Sequence, residues 1–311
     1  MTPRRQRPVP GSGQNAGTCS NATEGDVVRL HASAAKLRSL ERLDAPAGAA
    51  AKAVQQVVGQ GALKDLLSGS RLGHPLHPLL TDIPIGTLAS ASVLDLVAAQ
   101  RGEHAADILV AVGLLSALPT AAAGAADWSD SYGPDQRVGA VHAIANVIGL
   151  GLYGWSLRAR RRGDRHTGTA LGLAGMTSMA VGGYLGGYLS HSRGVGVNNA
   201  FYQHHPEDWA AMLDEAALPE GSPVRAVAGD ATVLLYRANG TIHAINSRCS
   251  HAGGPLDEGD VDRANCTVTC PWHGSVFRLE GGSVVHGPAS VPQAAYETRT
   301  QDGQIEIRLR R

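Results

Sequence analysis

Four stretches of this chain are almost free of charge, and each is near the length that crosses a bilayer, which restricts the fold more than any other feature. "IPIGTLASASVLDLVAA" (83–99) carries only Asp95, and "AADILVAVGLLSALPTAAAGAA" (105–126) only Asp107. "VGAVHAIANVIGLGLYGWSL" (138–157) and "TGTALGLAGMTSMAVGGYLGGYLS" (167–190) contain no Asp, Glu, Lys or Arg. Helices of a soluble bundle normally keep a charged face, and these have none, so the reading is an all-α bundle of four transmembrane helices over residues 71–198 in a cell-membrane protein. With 39 glycines and only 4% aromatic residues, such helices would pack through small side chains. The spacings Gly182 to Gly186 and Gly183 to Gly187 allow close helix contact in lipid, within the bundle or between copies in a homo-oligomer.

The flanks differ. Residues 1–28 are rich in Pro, Gly, Ser, Asn and Arg and read as a disordered tail with no cleavable signal peptide. Between 29 and 70, leucines and valines recur at helical spacing around Pro46 and Gly59-Gly61. Short amphipathic helices are expected, either on the membrane surface or covering the edge of the bundle. After Asn198 the pattern changes to alternating apolar and polar residues with turn dipeptides Asn239-Gly240 and Asp302-Gly303, which predicts an antiparallel all-β domain over 207–311. The balance of 27 basic and 27 acidic residues gives no reason to expect nucleic-acid binding. Four cysteines, Cys19, Cys249, Cys266 and Cys270, are too few and too scattered for a disulfide scaffold.

Three of those cysteines fall in the β domain, and two are paired with histidines: Cys249-x-His251, eighteen residues, then Cys270-x-x-His273. Zinc is one reading, since Cys and His are its usual ligands. A zinc finger, however, places its cysteines in one half and its histidines on a helix in the other. Here each half supplies one of each on a glycine-rich loop between strands, "CSHAGG" and "CPWHGS". Two equivalent loops suit a cofactor gripped from both sides, such as a [2Fe–2S] cluster with two cysteines on one iron and two histidines on the other.

The run "CSHAGGPLDEGDV…CPWHGSVFRLEGGSVVHGPAS" resembles a Rieske [2Fe–2S] domain, over about a third of the chain. The resemblance implies an antiparallel Rieske-type sandwich, with Cys249 and Cys270 on the buried iron and His251 and His273 on the outer iron, where a redox partner docks. It also implies that "HGPAS", with Pro288, shields the cluster, and that the Ser275 hydroxyl tunes its potential. Rieske proteins of cytochrome bc complexes brace the cluster with a disulfide; the matching positions here are Gly254 and Trp272. Phe277 stands where a tyrosine hydroxyl would otherwise be available. These departures move the domain toward the ferredoxins of ring-hydroxylating oxygenases. No separate two-histidine, one-carboxylate site is present to complete an oxygenase, so a one-electron carrier is expected rather than a complete enzyme.

The segments "GHPLHPLLTDIPIGTLASASVLDL", "AADW", "VGAVHAIAN" and "GGYLGGYLSHSRGVGV" resemble a family of four-helix bacterial membrane domains, sometimes fused to Rieske domains, which implies a fold and no activity. Four spans put both ends of this region on one membrane face. His74 and His77, Asp82, Asp127, His142 and His191 all fall there, with Asn146 one turn after His142. Ionisable residues at bundle ends are often only interfacial, but inside the apolar region they call for a functional reading. Two readings stand: His77, His142 and His191 include axial ligands of a haem b, with His142 and His191 as the expected pair, or the pocket binds a quinol that feeds the cluster. Asp95, alone near the opposite face, is expected to make a helix-packing hydrogen bond. The run "RARRRGDR" (158–165) favours a cytoplasmic far face and places the β domain outside, against Lys64 and Arg71.

Overall fold

In the computed structural model, which describes residues 26–310, a helical half precedes a β half and the two are in contact. The expectation for the tail lies outside the described residues as far as residue 25.

Three short helices come first: α1 (Asp26–Leu37), α2 (Asp44–Val58) and α3 (Ala62–Ser68). Four long ones follow: α4 (Leu76–Val97), α5 (Ala99–Trp128), α6 (Gly133–Arg161) and α7 (Arg165–Gly187), the last continued by a π-helical turn, Tyr188–Ser192. At about 1.5 Å per residue even the 22-residue α4 spans about 33 Å, against a hydrocarbon core of about 30 Å. By length and composition α4, α5 and α6 can cross a membrane; α7, richer in glycine and threonine, is less apolar. The α4 helix begins seven residues before the expected segment and runs through Pro84. The outward surface of the bundle is apolar: Leu96, Leu115, Leu118, Val147 and Trp155 are each at least 65% exposed. Such a belt suits lipid better than water.

Packing links α4 to α5 and α7, and α6 to α5 and α7, so α4 and α6 lie across the bundle from each other. Glycines let α6 and α7 close up. A Cβ on Gly175 would stand 3.0 Å from Gly149 O, and one on Gly182 would stand 2.6 Å from the Asn146 side chain. The Gly182 to Gly186 spacing is therefore used inside the chain against α6 and is not free for a second copy. The short helices do not form a separate surface layer. Contacts of α2 with α5 and α6, and of α3 with α4 and α5, place them over one end of the bundle.

Asp95 is not alone. Its carboxylate takes Arg160 Nη1 at 2.8 Å, and Arg160 also reaches Asp107 at 3.3 Å. Arg165 pairs with Asp107 at 2.6 Å. Asp95 and Arg160 are both buried side chains, so the network closes the bundle end far from the β domain. Two arginines of the basic run are committed to it, while Arg158, Arg161 and Arg162 remain exposed.

The β half contains ten strands in three antiparallel sheets. The first joins β1 (Ala210–Asp214), β10 (Gln304–Leu309) and β9 (Tyr296–Gln301), in that order. The second is β2 (Pro223–Ala228), β3 (Ala231–Ala238) and β4 (Thr241–Asn246). The third is β5 (Asp260–Asp262), β6 (Thr267–Thr269), β7 (Val276–Arg278) and β8 (Val284–His286). Both expected turns are present. Asn239 and Gly240 have φ of 51° and 77°, Asp302 and Gly303 52° and 76°, the doubly positive pattern of two-residue hairpins. Leu234, Tyr236, Ile245, Leu256, Val268, Phe277 and Leu279 form the core beneath the third sheet, and Cys249 and Cys270 belong to it.

Candidate metal centre

The two cysteine loops are built alike. In the first, between β4 and β5, Cys249 N donates to Gly254 O at 2.8 Å and Gly253 N to Cys249 O at 2.8 Å. In the second, between β6 and β7, Cys270 N donates to Ser275 O at 2.8 Å and Gly274 N to Cys270 O at 3.1 Å. The fourth residue after each cysteine has a positive φ, 80° at Gly253 and 74° at Gly274, so glycine lets both chains turn back around the sulfur. Each tight loop then projects its histidine past its cysteine.

All four candidate ligands meet. Cys249 and Cys270 are 1% and 3% exposed. Their thiols are hydrogen-bonded, and this bond together with burial raises Cys249, while the same bond lowers Cys270. Ring centroids of His251 and His273 lie 4.9 Å apart. Burial lowers both histidines, His251 to about 3, which keeps the imidazoles neutral and able to bind metal. His251 Nδ1 is buried with no hydrogen-bond partner. A buried ring nitrogen without a partner costs free energy unless something outside the polypeptide satisfies it. Among the described residues no three His, Cys, Asp or Glu side chains converge on one ion, and a [2Fe–2S] cluster asks for only two ligands per iron. The donor set fits the cluster.

Ser275, Pro288 and Trp272 lie beside the two loops. Ser275 is fully buried and its Oγ accepts Ala289 N–H at 2.9 Å, leaving its own proton available to the site. Pro288 is buried in the loop above His251 and shares a cavity with it. A Cβ on Gly254 would stand 2.9 Å from Cys270 Sγ and 3.0 Å from Trp272 Cγ, so the indole lies directly across the position opposite it. Close packing of Trp272 on Gly254 holds the loops together where a disulfide does not. Cys266, in the β5–β6 hairpin, stays apart and partly buried.

The histidine edge faces the chain's own helical half, a contact that no local pattern in the sequence signals. Tyr132, in the α5–α6 turn, stacks on His273 with centroids 6.1 Å apart and planes at 20°. Asp65 of α3, 1% exposed, accepts Gly287 N–H at 2.7 Å and lies 3.0 Å from His286 Nδ1. Ser70 Oγ donates to Ala289 O at 2.7 Å. Lys64, 2% exposed, donates to Ala126 O at 2.8 Å and pairs with Asp130 at 2.6 Å behind His273. Burial pushes Asp130 up, against the pull of Lys64. Asn199, in the linker after α7, holds the first loop through His251 O at 2.9 Å. A cavity of ≈ 250 Å³ remains between the halves, lined by Asp127, Tyr132, Asn199, His251 and Pro288 among others.

Of the membrane-side residues, His77 and His142 come together with ring centroids 6.5 Å apart, and Asn146 lies beside His142. His191 is exposed in the π-helical turn; His74 and Asp82 are also exposed.

Residues 208–297 match the Rieske [2Fe-2S] domain family, and residues 73–199 match a predicted membrane protein family, DUF2231. The ferredoxin subunit of 3-phenylpropionate/cinnamic acid dioxygenase from Escherichia coli (strain K12) is 34% identical over 94 residues, covering 30% of this chain and 87% of the relative. The subunit of the same name from Shigella flexneri serotype 5b (strain 8401) matches to the same extent. Among solved structures, the ferredoxin of carbazole 1,9a-dioxygenase from Nocardioides aromaticivorans IC177 aligns with a TM-score of 0.32 at 24% identity, over 33% of this chain and 98% of that one.

Proposed function

The chain belongs to the Rieske [2Fe–2S] family, and from that premise we propose a membrane-anchored one-electron carrier whose cluster edge is held against its own helical bundle. Cys249 and Cys270 hold the inner iron, and His251 and His273 the outer. The observation that carries the assignment is the buried, unpartnered Nδ1 of His251, set between two loops of equal construction. The cluster, when bound, supplies a single-electron couple. The polypeptide supplies the rest: neutral imidazoles, a buried cysteine pair, a serine proton and the cover of the buried Pro288.

The bundle anchors the domain through α4 to α7, whose outward residues are apolar, and its far end faces the cytoplasm because Arg158, Arg161 and Arg162 stay exposed there. On this reading the β domain is outside. A redox protein reaches the cluster from the open side, where Trp272 is 50% exposed beside His273.

EPR of the detergent-purified, dithionite-reduced chain tests the reading. A mixed nitrogen and sulfur [2Fe–2S] signal is expected, lost in Cys270→Ser and in His251→Ala. Zinc without iron in protein from iron-replete cells would overturn it.

A further inference from the structure

The loop from His286 to Val291 is held from both halves of the molecule. On the β side, Ala289 N–H donates to Ser275 Oγ at 2.9 Å and Val291 O accepts the Ser250 hydroxyl at 2.7 Å, so the loop grips one residue from each cysteine loop. On the helical side, Gly287 N–H donates to Asp65 Oδ1 at 2.7 Å and Ala289 O accepts the Ser70 hydroxyl at 2.7 Å. The other Asp65 oxygen lies 3.0 Å from His286 Nδ1. Both helical anchors come from one turn: Gly69, with φ of 74°, ends α3, and Ser70 N–H donates back to Asp65 O at 3.0 Å. A Cβ on Gly287 would run into Ser70 Oγ, so the loop lies against this turn with no side chain between them.

These bonds act in series. Ser275 Oγ accepts Ala289 N–H through a lone pair, so its own proton is turned away from Ala289. Ala289 is fixed in turn by Ser70 through its carbonyl, and the approach of the loop by Asp65 through Gly287. Ser275 and Ala289 are 0% and 1% exposed, so water does not stand in for a bond lost between them. The neighbouring Lys64 turns the other way, to Ala126 O and Asp130, and both Asp65 oxygens are given to the loop. A hydrogen bond to a carboxylate is roughly twice as strong as one between neutral groups, which makes Asp65 the stronger anchor and Ser70 the finer one. Hydrogen bonds to the sulfurs and the exclusion of solvent set the potential of an iron–sulfur cluster, and residues outside the ligand set control both.

We propose that Asp65 and Ser70 are positioning residues for the cluster: through the 286–291 loop the helical half fixes the Ser275 hydroxyl and so raises the cluster's reduction potential. A donor aimed at a cluster sulfur favours the reduced form, which carries the extra negative charge. The inference rests on the cluster reading above and adds to it that the membrane half sets the electron affinity of the centre it carries.

The test is redox titration of the full chain in detergent, followed by the cluster EPR signal. Ser275→Ala should lower the potential, and Ser70→Ala and Asp65→Ala should lower it by smaller amounts at unchanged cluster content per chain. In the Ser275→Ala background the Ser70→Ala shift should vanish, because nothing is left for Ser70 to act through. Asp65→Asn keeps an oxygen for Gly287 N–H and should hold the parent potential. Amide exchange, which needs no cluster, should quicken at Gly287 in Asp65→Ala and at Ala289 in Ser70→Ala. A potential that rises equally in Asp65→Asn and Asp65→Ala is a bare charge effect and overturns the proposal, as does a Ser70→Ala shift that persists without the Ser275 hydroxyl. Should Asp65→Ala fail to assemble, Ser70→Ala, which removes one neutral hydrogen bond, decides. A full cluster signal with an unmoved potential in Ser70→Ala and Asp65→Ala overturns this inference alone, whereas a parent chain with no cluster signal overturns the functional reading and this inference with it.

Discussion

The two ends of the helical bundle bury polar groups in opposite ways. At the far end the buried groups are full charges, and they cancel one another: Asp95 and Asp107 against Arg160 and Arg165. At the near end they include imidazoles anchored to backbone carbonyls inside the bundle, and the buried charges lie where other elements cover it: Lys64, Asp65 and Asp130 in the seam with the β domain, and Arg137 paired with Asp44 of α2. A closed ion network has nothing left to bind and is best understood as a clamp on four helix ends. The two imidazoles are held through Nδ1 by carbonyls of neighbouring helices, and each keeps a second ring nitrogen that this bond does not use. Burial alone therefore does not identify a functional residue; what matters is whether its partners exhaust its valence.

The largest expected effect breaks the far end. Arg160→Met leaves buried Asp95 with only the longer contact to Arg165, at 3.5 Å, and should cost about 3–5 kcal/mol. Chemical denaturation in detergent would measure it, and the double variant Arg160→Met/Asp95→Leu should recover most of the loss. Cluster EPR of the surviving folded fraction should be unchanged. A single variant as stable as the parent would show that water already reaches Asp95, and the clamp would be no clamp.

Next is the seam. Lys64→Met strands the Asp130 carboxylate and leaves Ala126 O with the Ser129 hydroxyl alone, at an expected cost of about 3 kcal/mol. Asp65→Ala removes the acceptor of Gly287 N–H and the partner of His286, at about 2 kcal/mol. Both losses should appear as separation of the two halves, read by faster proteolysis in the 193–207 linker, while the far end keeps its stability. Loss of the bundle before the linker is cut would place Lys64 with the helices and not with the interface.

The contrast between the ends was only partly legible in the sequence. Missing charges over four segments show helices, because nothing else hides that much backbone in an apolar setting. Asn239-Gly240 and Asp302-Gly303 show hairpins because few residue pairs tolerate two positive φ angles. The cluster loops are legible because their chemistry is local, with Cys, His and Gly inside six residues. What could not be read is pairing at a distance. Asp95 looked isolated because Arg160, 65 residues on, sat in a run that reads as a loop of surface charge. Lys64 and Asp65 lie side by side in "ALKDLL", and nothing local says that one turns to the α5–α6 turn and the other to Gly287. His191 fell on the expected helix face, but a π-helical turn shifts the register there and sends it to solvent.

The smallest expected effect supplies the background against which the seam must be judged, because the β domain carries an acid-sensitive contact of its own. His205 is part-buried against Tyr296 of β9, its Nδ1 2.7 Å from the phenol oxygen, and burial lowers its pKa below the ordinary 6.5, with Asp230 opposing the shift and His204 adding to it. Below pH 6.5 the unfolded chain takes up this proton more readily than the folded one, so His205 stabilises the fold above that pH and loses its contribution as pH falls through the folded-state value. The exposed pair of His204 and Asp230 runs the other way: its raised histidine favours the folded state in acid and loses that advantage as pH rises. His205→Gln should therefore flatten the acid limb of thermal stability measured between about pH 7 and pH 5, and His204→Gln should steepen it. If His205→Gln leaves the acid limb unchanged, the sensitivity lies elsewhere, and the seam, with Asp65 beside His286, becomes the next place to look.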